Sequence, residues 1–270
     1  MESIYRQDLY AGKAVFVAGG TSGINLEVAR GFAHCGAKVA VMSRNQERVD
    51  EAVRRLKDLG AEAIGFAADV RDFDAVKSAY VDIGNAFGKL NVIVSGAAGN
   101  FVAPAEKLSA NGFKTVVDID LVGTFHVMRA GFDHLAHGDA SIVNVSAPQS
   151  TLPYAFQAHV CAAKAGLDML SKSLALEWGR YGIRVNAIQP GPIDGTEGME
   201  RLSPTPEIRS RIEGMLPLLR YGRKQEIVDL TLFLCSPAAR YITGAIIPCD
   251  GGQALVGGGA MSTGLIPTPK

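Results

Sequence analysis

Three glycines in the stretch AGGTSGIN, residues 18–25, have the spacing of a turn that holds a phosphate group. Gly19, Gly20 and Gly23 follow a short apolar run and precede a helical pattern. A side chain there would block a pyrophosphate, and the N-terminus of the next helix offers free N–H groups. The cluster therefore predicts a dinucleotide site, with a plain tight turn as the alternative. Asn25 departs from the pattern, in which a third glycine brings helix and strand close together.

The residues after the second apolar run indicate which dinucleotide is bound. Sheets that bind NAD carry an Asp or Glu there, which accepts hydrogen bonds from the ribose hydroxyls. This sequence has Ser43 and Arg44 instead. A guanidinium in place of a carboxylate suits a 2′-phosphate, so the sequence predicts NADP(H) rather than NAD(H). The alternative is that Arg44 only covers the following helix.

The elements that must position these residues alternate along the chain. Short apolar runs rich in β-branched residues are separated by segments of helical periodicity. Strands that are apolar on both faces and separated by helices predict a parallel sheet covered on both sides. The predicted fold class is therefore α/β, a doubly wound Rossmann sheet in a three-layer sandwich. The predicted strands cover residues 14–19, 38–43, 62–70, 90–96, 140–146, 183–191 and 244–252, with helices over 23–36, 45–60 and 72–87.

Composition and charge exclude several classes of protein. The 270 residues are 47% hydrophobic, which suits one large domain with a loop-rich tail from about residue 253. The 27 basic and 27 acidic residues leave no basic field for nucleic acid or an anionic membrane. The sequence shows no membrane span and no targeting signal, so a cytoplasmic location is expected. Four scattered cysteines without a CxxC pair argue against a metal site or a disulfide framework.

Six features of the sequence occur in the order typical of the short-chain dehydrogenase/reductase family, which this chain resembles over nearly its whole length. They are AGGTSGI (18–24), ADV (68–70), SGAAG (95–99), Lys164, RVNAIQPGPI (184–193) and TGAIIPCDGG (243–252). The resemblance implies that Asp69 binds the adenine, Lys164 the nicotinamide ribose and Ile193 the carboxamide. The cofactor contacts that it implies in full are Gly19, Thr21, Ser22, Gly23, Ile24, Ser43, Arg44, Asp69, Val70, Ala97, Lys164, Pro190, Gly191, Ile193 and Thr196.

The departures from the family concern its catalytic residues. Val160 stands where the family has a tyrosine, Ala147 where it has a serine, and Asp120 where it has an asparagine. The tyrosine protonates the alkoxide when a ketone is reduced, so ordinary ketone reduction is not expected here. Among nearby residues, Cys161 shares a helical face with Lys164 but is expected to pack. His159 is turned roughly 140° away and is expected to be a surface or packing residue.

Tyr154 stays open as a residue that reaches the pocket from a loop. It stands ten residues before Lys164, and the helical pattern begins after it.

One branch of the family shows the same departures. The stretches 97–125, 163–170 and 191–202 resemble 2,4-dienoyl-CoA reductases of the peroxisomal type, which lack the tyrosine and use an aspartate and the lysine. The resemblance implies that Asp120 and Lys164 are catalytic and hold a water as the proton source. It also implies that the substrate, an acyl-CoA thioester, contacts Asn100, Phe101 and Arg201. The respective alternatives are a turn residue, a core residue, and a solvated helix charge or an ion pair with a glutamate such as Glu197.

Two further arginines, Arg220 and Arg223, are weaker candidates for a contact with the CoA phosphates.

Two other functions remain as alternatives at this point. The chain could be a short-chain oxidoreductase of another substrate, such as a 3-oxoacyl thioester, an enone or a ketone. It could also be a catalytically impaired sensor or scaffold that binds NADP(H). A substrate lid is expected over about residues 196–218, where glycine, proline and charge are frequent. The family resemblance further implies a homotetramer.

Overall fold

The computed structural model describes residues 4–256, except for the side chains of residues 201 and 202. Within this part, seven parallel strands form one sheet in the order β3-β2-β1-β4-β5-β6-β7. They are β1 (Ala14–Ala18), β2 (Lys38–Ser43), β3 (Ala63–Ala67), β4 (Val92–Ser95), β5 (Ala140–Val145), β6 (Ile183–Pro190) and β7 (Ile246–Cys249). Each lies within a strand predicted from the sequence, and the predicted doubly wound Rossmann fold is confirmed.

Nine α-helices of the described residues connect and cover these strands. They are α1 (Gly23–His34), α2 (Gln46–Lys57), α3 (Phe73–Phe87), α4 (Ala110–Val117), α5 (Gly123–Gly131), α6 (Ala158–Trp178), α7 (Glu197–Leu202), α8 (Pro206–Met215) and α9 (Lys224–Cys235). None of them combines the length and apolarity that a membrane span requires.

The sheet is buried on both faces because its strands alternate between two hydrophobic layers. On β1, Phe16 points into a layer formed with α3, α5 and α6, whereas Val15 and Val17 point into a layer formed with α1, α2 and α9. All three side chains are fully buried. This arrangement fixes the strand register, because a shift of one residue would exchange the two faces.

The strand order reverses at β1, which pairs with β2 on one side and β4 on the other. In open α/β sheets, a crevice for ligands lies outside the carboxyl ends of the strands at this point. The loops that follow β1, β2 and β4 therefore meet at the same end of the sheet.

A π-helical turn, Asp118–Val122, joins α4 to α5. Such turns hold one residue more than the α-helix and frequently occur at functional sites. The hydroxyl of Thr124 donates to the backbone carbonyl of Asp120 over 2.8 Å and is itself 3.4 Å from the hydroxyl of Ser95 on β4. The turn is thereby held against the end of the sheet.

Candidate active site

A cavity of about 530 Å³ opens at the carboxyl ends of the central strands. Residues from the predicted cofactor set line it: Gly19, Thr21, Ser22, Ser43, Arg44, Asp69, Val70 and Ala97. Their convergence on one cavity follows from the parallel sheet, because each of them stands at or just beyond the end of a strand.

The glycine turn is shaped by close backbone contacts. Gly19 has φ 77°, and a Cβ there would lie 2.8 Å from the backbone nitrogen of Ala97. Gly23 begins α1 with φ 58°, and the side chain of Ser22, at the N-cap position, makes no capping hydrogen bond. The hydroxyl of Ser22 and the free N–H groups of α1 therefore both stand at the cavity.

Asn25 has a clear structural role in place of the usual third glycine. Its side-chain nitrogen donates to the backbone carbonyl of Gly96 over 2.7 Å. A Cβ on Gly96 would approach the Asn25 amide to 2.3 Å, so Gly96 makes room for this side chain. The polar bridge joins α1 to the loop after β4, while the neighbouring Ile24 packs into the core.

The corner of the cavity after β2 carries positive charge. Arg44 is exposed and makes no ion pair within the described residues, and the buried hydroxyl oxygen of Ser43 has no hydrogen-bond partner there. Arg48, on the first turn of α2, also lines the cavity. Sequence reasoning missed Arg48, although it lies only four residues after Arg44.

Asp69 lies at the cavity but is held by a neighbouring arginine. Arg71 approaches its carboxylate to 2.6 Å with the side chain and donates its backbone N–H over 2.9 Å. The hydrogen bonds from Arg71 hold the pKa of Asp69 below its usual range. Asp69 is thus a fixed, ionised acceptor, and the buried Val70 beside it accepts a hydrogen bond from His126.

Asp120 and Lys164 form an ion pair inside the protein. Their side chains are only 1% and 6% exposed, and Nζ of Lys164 lies 3.3 Å from Oδ2 of Asp120. Oδ1 accepts the backbone N–H of Gly99 over 2.7 Å, and Nζ donates to the carbonyl of Val145 over 3.1 Å. Because the 3.3 Å contact lacks hydrogen-bond geometry, Oδ2 has no hydrogen-bond partner in the part of the chain that the structure describes and can still accept one. The two charged residues and their hydrogen-bond partners, Gly99 and Val145, therefore come from four separate segments of the chain.

Val160 does not leave a gap where the family has its tyrosine. It is 3% exposed and packs with Val116 of α4 and Ala163 of its own helix. Ser146, one residue from the position of the family's serine, is buried, and its hydroxyl has no partner within the described residues. Neither position supplies an acid of the family's type.

Tyr154 is directed to another partner. Its hydroxyl accepts a hydrogen bond from Gln253 over 2.7 Å, and no hydrogen bond within the described residues links it to Lys164. Burial and the carboxylate of Asp250 raise the pKa of Tyr154, which makes it a weaker acid. Cys161 is half-buried, with its sulfur 4.0 Å from the carbonyl of Leu152.

His159 is fully buried, which agrees with the predicted packing role and not with the alternative of a surface position. Its ring centroid lies 4.4 Å from that of Phe101, and the charge of Asp120 acts on it. Within residues 4–256, neither ring nitrogen has a described partner in hydrogen-bonding geometry. His159 points roughly 140° away from Lys164 around α6, as expected. It nevertheless belongs to the surroundings of the site, because Asp120 comes from a different element, the π-helical turn.

Two of the predicted substrate contacts, Asn100 and Phe101, lie in the loop after β4, directly after the Gly99 whose N–H donates to Asp120. Asn100 is exposed and its side chain makes no hydrogen bond within the described residues, while Phe101 is 40% exposed. Arg201 falls on α7, and its side chain lies outside the described ones.

The predicted nicotinamide contacts follow β6. Pro190 and Ile193 are buried. A Cβ on Gly191 would lie 2.6 Å from Cα of Asp250, so the absence of a side chain is needed for packing there. Thr196 donates its hydroxyl to the carbonyl of Ile193 over 2.8 Å. The segment is therefore held in shape by its own contacts.

Comparison with protein families and curated proteins gives a consistent set of relatives. Residues 18–254 match the family model described as "Enoyl-(Acyl carrier protein) reductase". The chain is 41% identical over 262 residues to the peroxisomal 2,4-dienoyl-CoA reductase of Arabidopsis thaliana, covering 93% of this chain and 88% of the relative. It is 40% identical over 246 residues to the "Probable 2,4-dienoyl-CoA reductase" of Bacillus subtilis, covering 90% and 97%.

Solved structures show the same fold. A short chain dehydrogenase from Bacillus anthracis superposes with a TM-score of 0.84 at 37% identity, covering 91% of this chain and 97% of that one. A citronellol catabolism dehydrogenase from Pseudomonas aeruginosa gives a TM-score of 0.83 at 31% identity, covering 94% and 100%.

Proposed function

Because the chain belongs to the short-chain dehydrogenase/reductase family, we propose that it reduces 2,4-dienoyl-CoA thioesters with NADPH. The observation that carries this proposal is the buried pair of Asp120 and Lys164, in a site whose tyrosine position is filled by the packed Val160. Relatives that share about 40% of their residues with this chain are named for the same reaction.

The chemistry explains why the tyrosine is dispensable. A conjugated dienoyl thioester accepts hydride at C5, and the negative charge then spreads to the thioester oxygen. The site must stabilise that oxygen with hydrogen-bond donors and must supply a proton to carbon. A ketone would instead require an acid that protonates an alkoxide, and neither Val160 nor Ala147 can serve as one.

The described residues fit the cofactor. The glycine turn leaves space that a Cβ at Gly19 would fill, and the unpartnered hydroxyl of Ser43 stands with Arg44 at the corner suited to a 2′-phosphate. Gly19, Thr21, Ser22, Gly23 and the α1 N-terminus would hold the pyrophosphate. NADPH supplies the hydride when it is bound there. Lys164 would hold the nicotinamide ribose in addition to its role beside Asp120.

Protonation at carbon is the step assigned to Asp120 and Lys164. A water that donates a hydrogen bond to Oδ2 of Asp120 gives its other proton to C2 of the substrate. The hydroxide left behind takes a proton from the Lys164 ammonium, which recovers one from solvent. Hydride and proton together convert the diene to a 3-enoyl thioester.

The position of this water determines which carbon is protonated and therefore which enoyl thioester is formed. The charge of the intermediate also reaches C4, and protonation there would give a 2-enoyl thioester instead. Relatives of both kinds exist: the Arabidopsis thaliana protein is named (3E)-enoyl-CoA-producing and the Bacillus subtilis protein (2E)-enoyl-CoA-producing. We assign the 3-enoyl product because the residues that match the peroxisomal type include the whole loop and turn around Asp120.

Substrate binding is assigned to the loop after β4 and to a lid. Asn100 is a donor for the thioester oxygen, and Phe101 packs against the acyl chain. The lid covers residues 196–218, which include the short helices α7 and α8, and Arg201 on α7 meets the CoA phosphates. Arg220, a weaker candidate for that role, already pairs with Glu226 at 2.6 Å.

The proposal extends to assembly and location. A homotetramer is supported by apolar side chains exposed on α4, α5 and α6, which include Phe113, Phe125, Met169 and Leu176. We also propose that the whole chain acts as one domain in the cytoplasm. Sedimentation and cell fractionation test these two assignments.

The decisive experiment mixes the purified protein with NADPH and 2,4-decadienoyl-CoA and follows the loss of nucleotide absorbance. Turnover is expected, with the product identified by NMR as the 3-enoyl thioester. If the protein instead turns over only ketones or 3-oxoacyl thioesters, the dienoyl thioester is not its substrate and one of those classes is. Binding of NADPH without turnover on either panel would favour a sensor or scaffold.

A further inference from the structure

His159 is a buried titratable residue that the mechanism above does not use. It has 0% exposure, lies on the first turn of α6 and stands against Phe101, whose loop carries the predicted substrate contacts. The charge of Asp120 acts on its ring. The backbone of Phe101 lies near the ring, but neither ring nitrogen has a partner in hydrogen-bonding geometry among the described residues.

Unpartnered nitrogens in such a place require an explanation. A neutral imidazole carries one N–H donor and one acceptor, and each buried polar group without a partner destabilises the folded protein. Of ten buried side-chain atoms without a partner among the described residues, three belong to His159 and Asp120. A small polar group shared by the two residues would satisfy the donor of one and the acceptor of the other.

The surrounding backbone holds His159 in this position. Gly99 donates to Asp120 at one end of the loop after β4, and Ala103 donates its N–H to the carbonyl of Phe156 over 3.0 Å at the other end. Phe156 has φ 65°, a left-handed conformation that is strained for a non-glycine residue. Strain of this kind persists where the surroundings impose it and is frequent at functional sites.

We propose that His159 is a positioning residue that holds, together with Asp120, the water that protonates the substrate, an inference that rests on the proposed reduction of a dienoyl thioester. The ring N–H donates to the water oxygen, one water hydrogen bonds Oδ2 of Asp120, and the other points to C2 of the substrate. The proton passes from water to carbon, and Lys164 resupplies the hydroxide. His159 itself exchanges no proton.

The ring is neutral in this role. Burial lowers the pKa of His159, and the smaller opposing effects of the Phe101 backbone and the Asp120 carboxylate raise it. Asp120, from the π-helical turn, is the charged group that acts on the ring, and Lys164 of its own helix is paired with Asp120. On α4 and the start of the turn, Lys114 and Asp118 pair with each other at the surface. The substrate loop contributes the uncharged Phe101.

The test compares His159→Phe, which keeps an aromatic ring against Phe101 but removes both nitrogens, with His159→Gln, which retains a donor. His134→Phe is a matched control, because the His134 ring stacks on Tyr80 and lies apart from the site. We expect His159→Phe to lower kcat on the dienoyl thioester roughly 10- to 100-fold, with KM changed less than about twofold. His159→Gln should regain most of kcat, and His134→Phe should match the wild type.

Isotope effects separate positioning from packing. In His159→Phe the solvent deuterium isotope effect on kcat should rise, and the effect of deuterium at C4 of NADPH should fall, because protonation becomes slower than hydride transfer. Equal loss in His159→Phe and His159→Gln, with both isotope effects unchanged, would overturn the proposal in favour of packing alone. Wild-type protein without turnover on the dienoyl thioester would instead refute the proposed function.

A second measurement needs only the wild type and His159→Gln. Protonation of the ring places a positive charge beside the Asp120 carboxylate and weakens the hold of that carboxylate on the water, so kcat of the wild type should fall toward acid pH. His159→Gln should shift this fall to lower pH, and an unshifted profile would count against His159 even if His159→Phe does not fold.

Discussion

The nucleotide half of the molecule, residues 14–70, and the catalytic half, residues 92–249, build their sites in different ways. In the first, each important side chain follows directly from a strand: Gly19 after β1, Ser43 at the end of β2 and Asp69 just after β3. In the second, the pair of Asp120 and Lys164 depends on groups that lie far apart in the chain.

The two halves also differ in the free-energy cost of removing their charged side chains from water. Arg44 is exposed, so its charge remains hydrated until a ligand arrives. Asp120 and Lys164 are removed from water, which costs several kcal/mol for each ion unless pairing and hydrogen bonds offset it. The Gly99 N–H and the Val145 carbonyl provide those hydrogen bonds. Under the proposed function, the nucleotide half would recognise its ligand by charge, whereas the catalytic half depends on the burial of its ion pair.

The largest effect should come from Asp120→Asn, which tests the catalytic half. The amide can still accept from Gly99, but it removes the negative charge from the water, so kcat should fall about 100- to 10,000-fold. Steady-state kinetics with the dienoyl thioester measures the change, and NADPH binding should persist. Asp118→Asn is the control, because Asp118 belongs to the same triplet but pairs with Lys114 at the surface. Equal losses in both variants would refute the distinction between them.

A smaller and more selective effect is expected in the nucleotide half from Arg44→Ala. Loss of a charge-assisted hydrogen bond to the 2′-phosphate should weaken NADPH binding roughly 10- to 100-fold. Titration calorimetry should show little change for NADH, which lacks that phosphate. Arg54→Ala is the control, since Arg54 pairs with Glu51 on α2. An equal loss of both nucleotides would show that Arg44 does not recognise the 2′-phosphate.

The smallest effect should come from a surface pair of the catalytic half, Arg220 with Glu226. The hydrogen bond from Arg220 lowers the pKa of Glu226 to about 2, from an ordinary value of 4.5. Its stabilisation is therefore complete above pH 4.5 and is lost as pH falls through about 2. Glu226→Gln should lower the free energy of unfolding by about 0.5–1 kcal/mol at neutral pH.

Urea unfolding between neutral pH and about pH 3 measures this difference, which should shrink as the medium becomes acidic. Glu106→Gln is the control, because Glu106 is exposed and forms no ion pair within the described residues. A difference that grows toward acid pH would contradict the assignment.

The two halves also differ in how far the sequence predicted them. All seven strands were predicted, because segments buried on both faces must be continuously apolar. The glycine turn and Arg44 were found because their neighbours in sequence are also their neighbours in space. The Asp69–Arg71 bond was missed, although the two residues are only two positions apart.

Long-range contacts limited the prediction of the catalytic half. Asp120 was singled out by resemblance, because nothing local in DIDLV reveals that Gly99 and Lys164 will surround it. The helical angle between His159 and Lys164 was sound, but it described one helix and could not show what packs against its other side. The role of Val160 in contact with α4 likewise depends on two elements.

Under the proposed mechanism, the π-helical turn at Asp118–Val122 makes chain length, in addition to residue type, a determinant of activity. Removal of one residue there would restore the α-helical repeat and rotate one flanking helix by about 100° relative to the other. Either Asp120 or Thr124, whose hydroxyl donates to the Asp120 carbonyl, would then turn away from the site, although the sequence would still contain both residues. A catalytic group can thus be gained or lost through a single codon insertion or deletion, so sequence comparisons of such enzymes must weigh alignment gaps in this segment as heavily as substitutions.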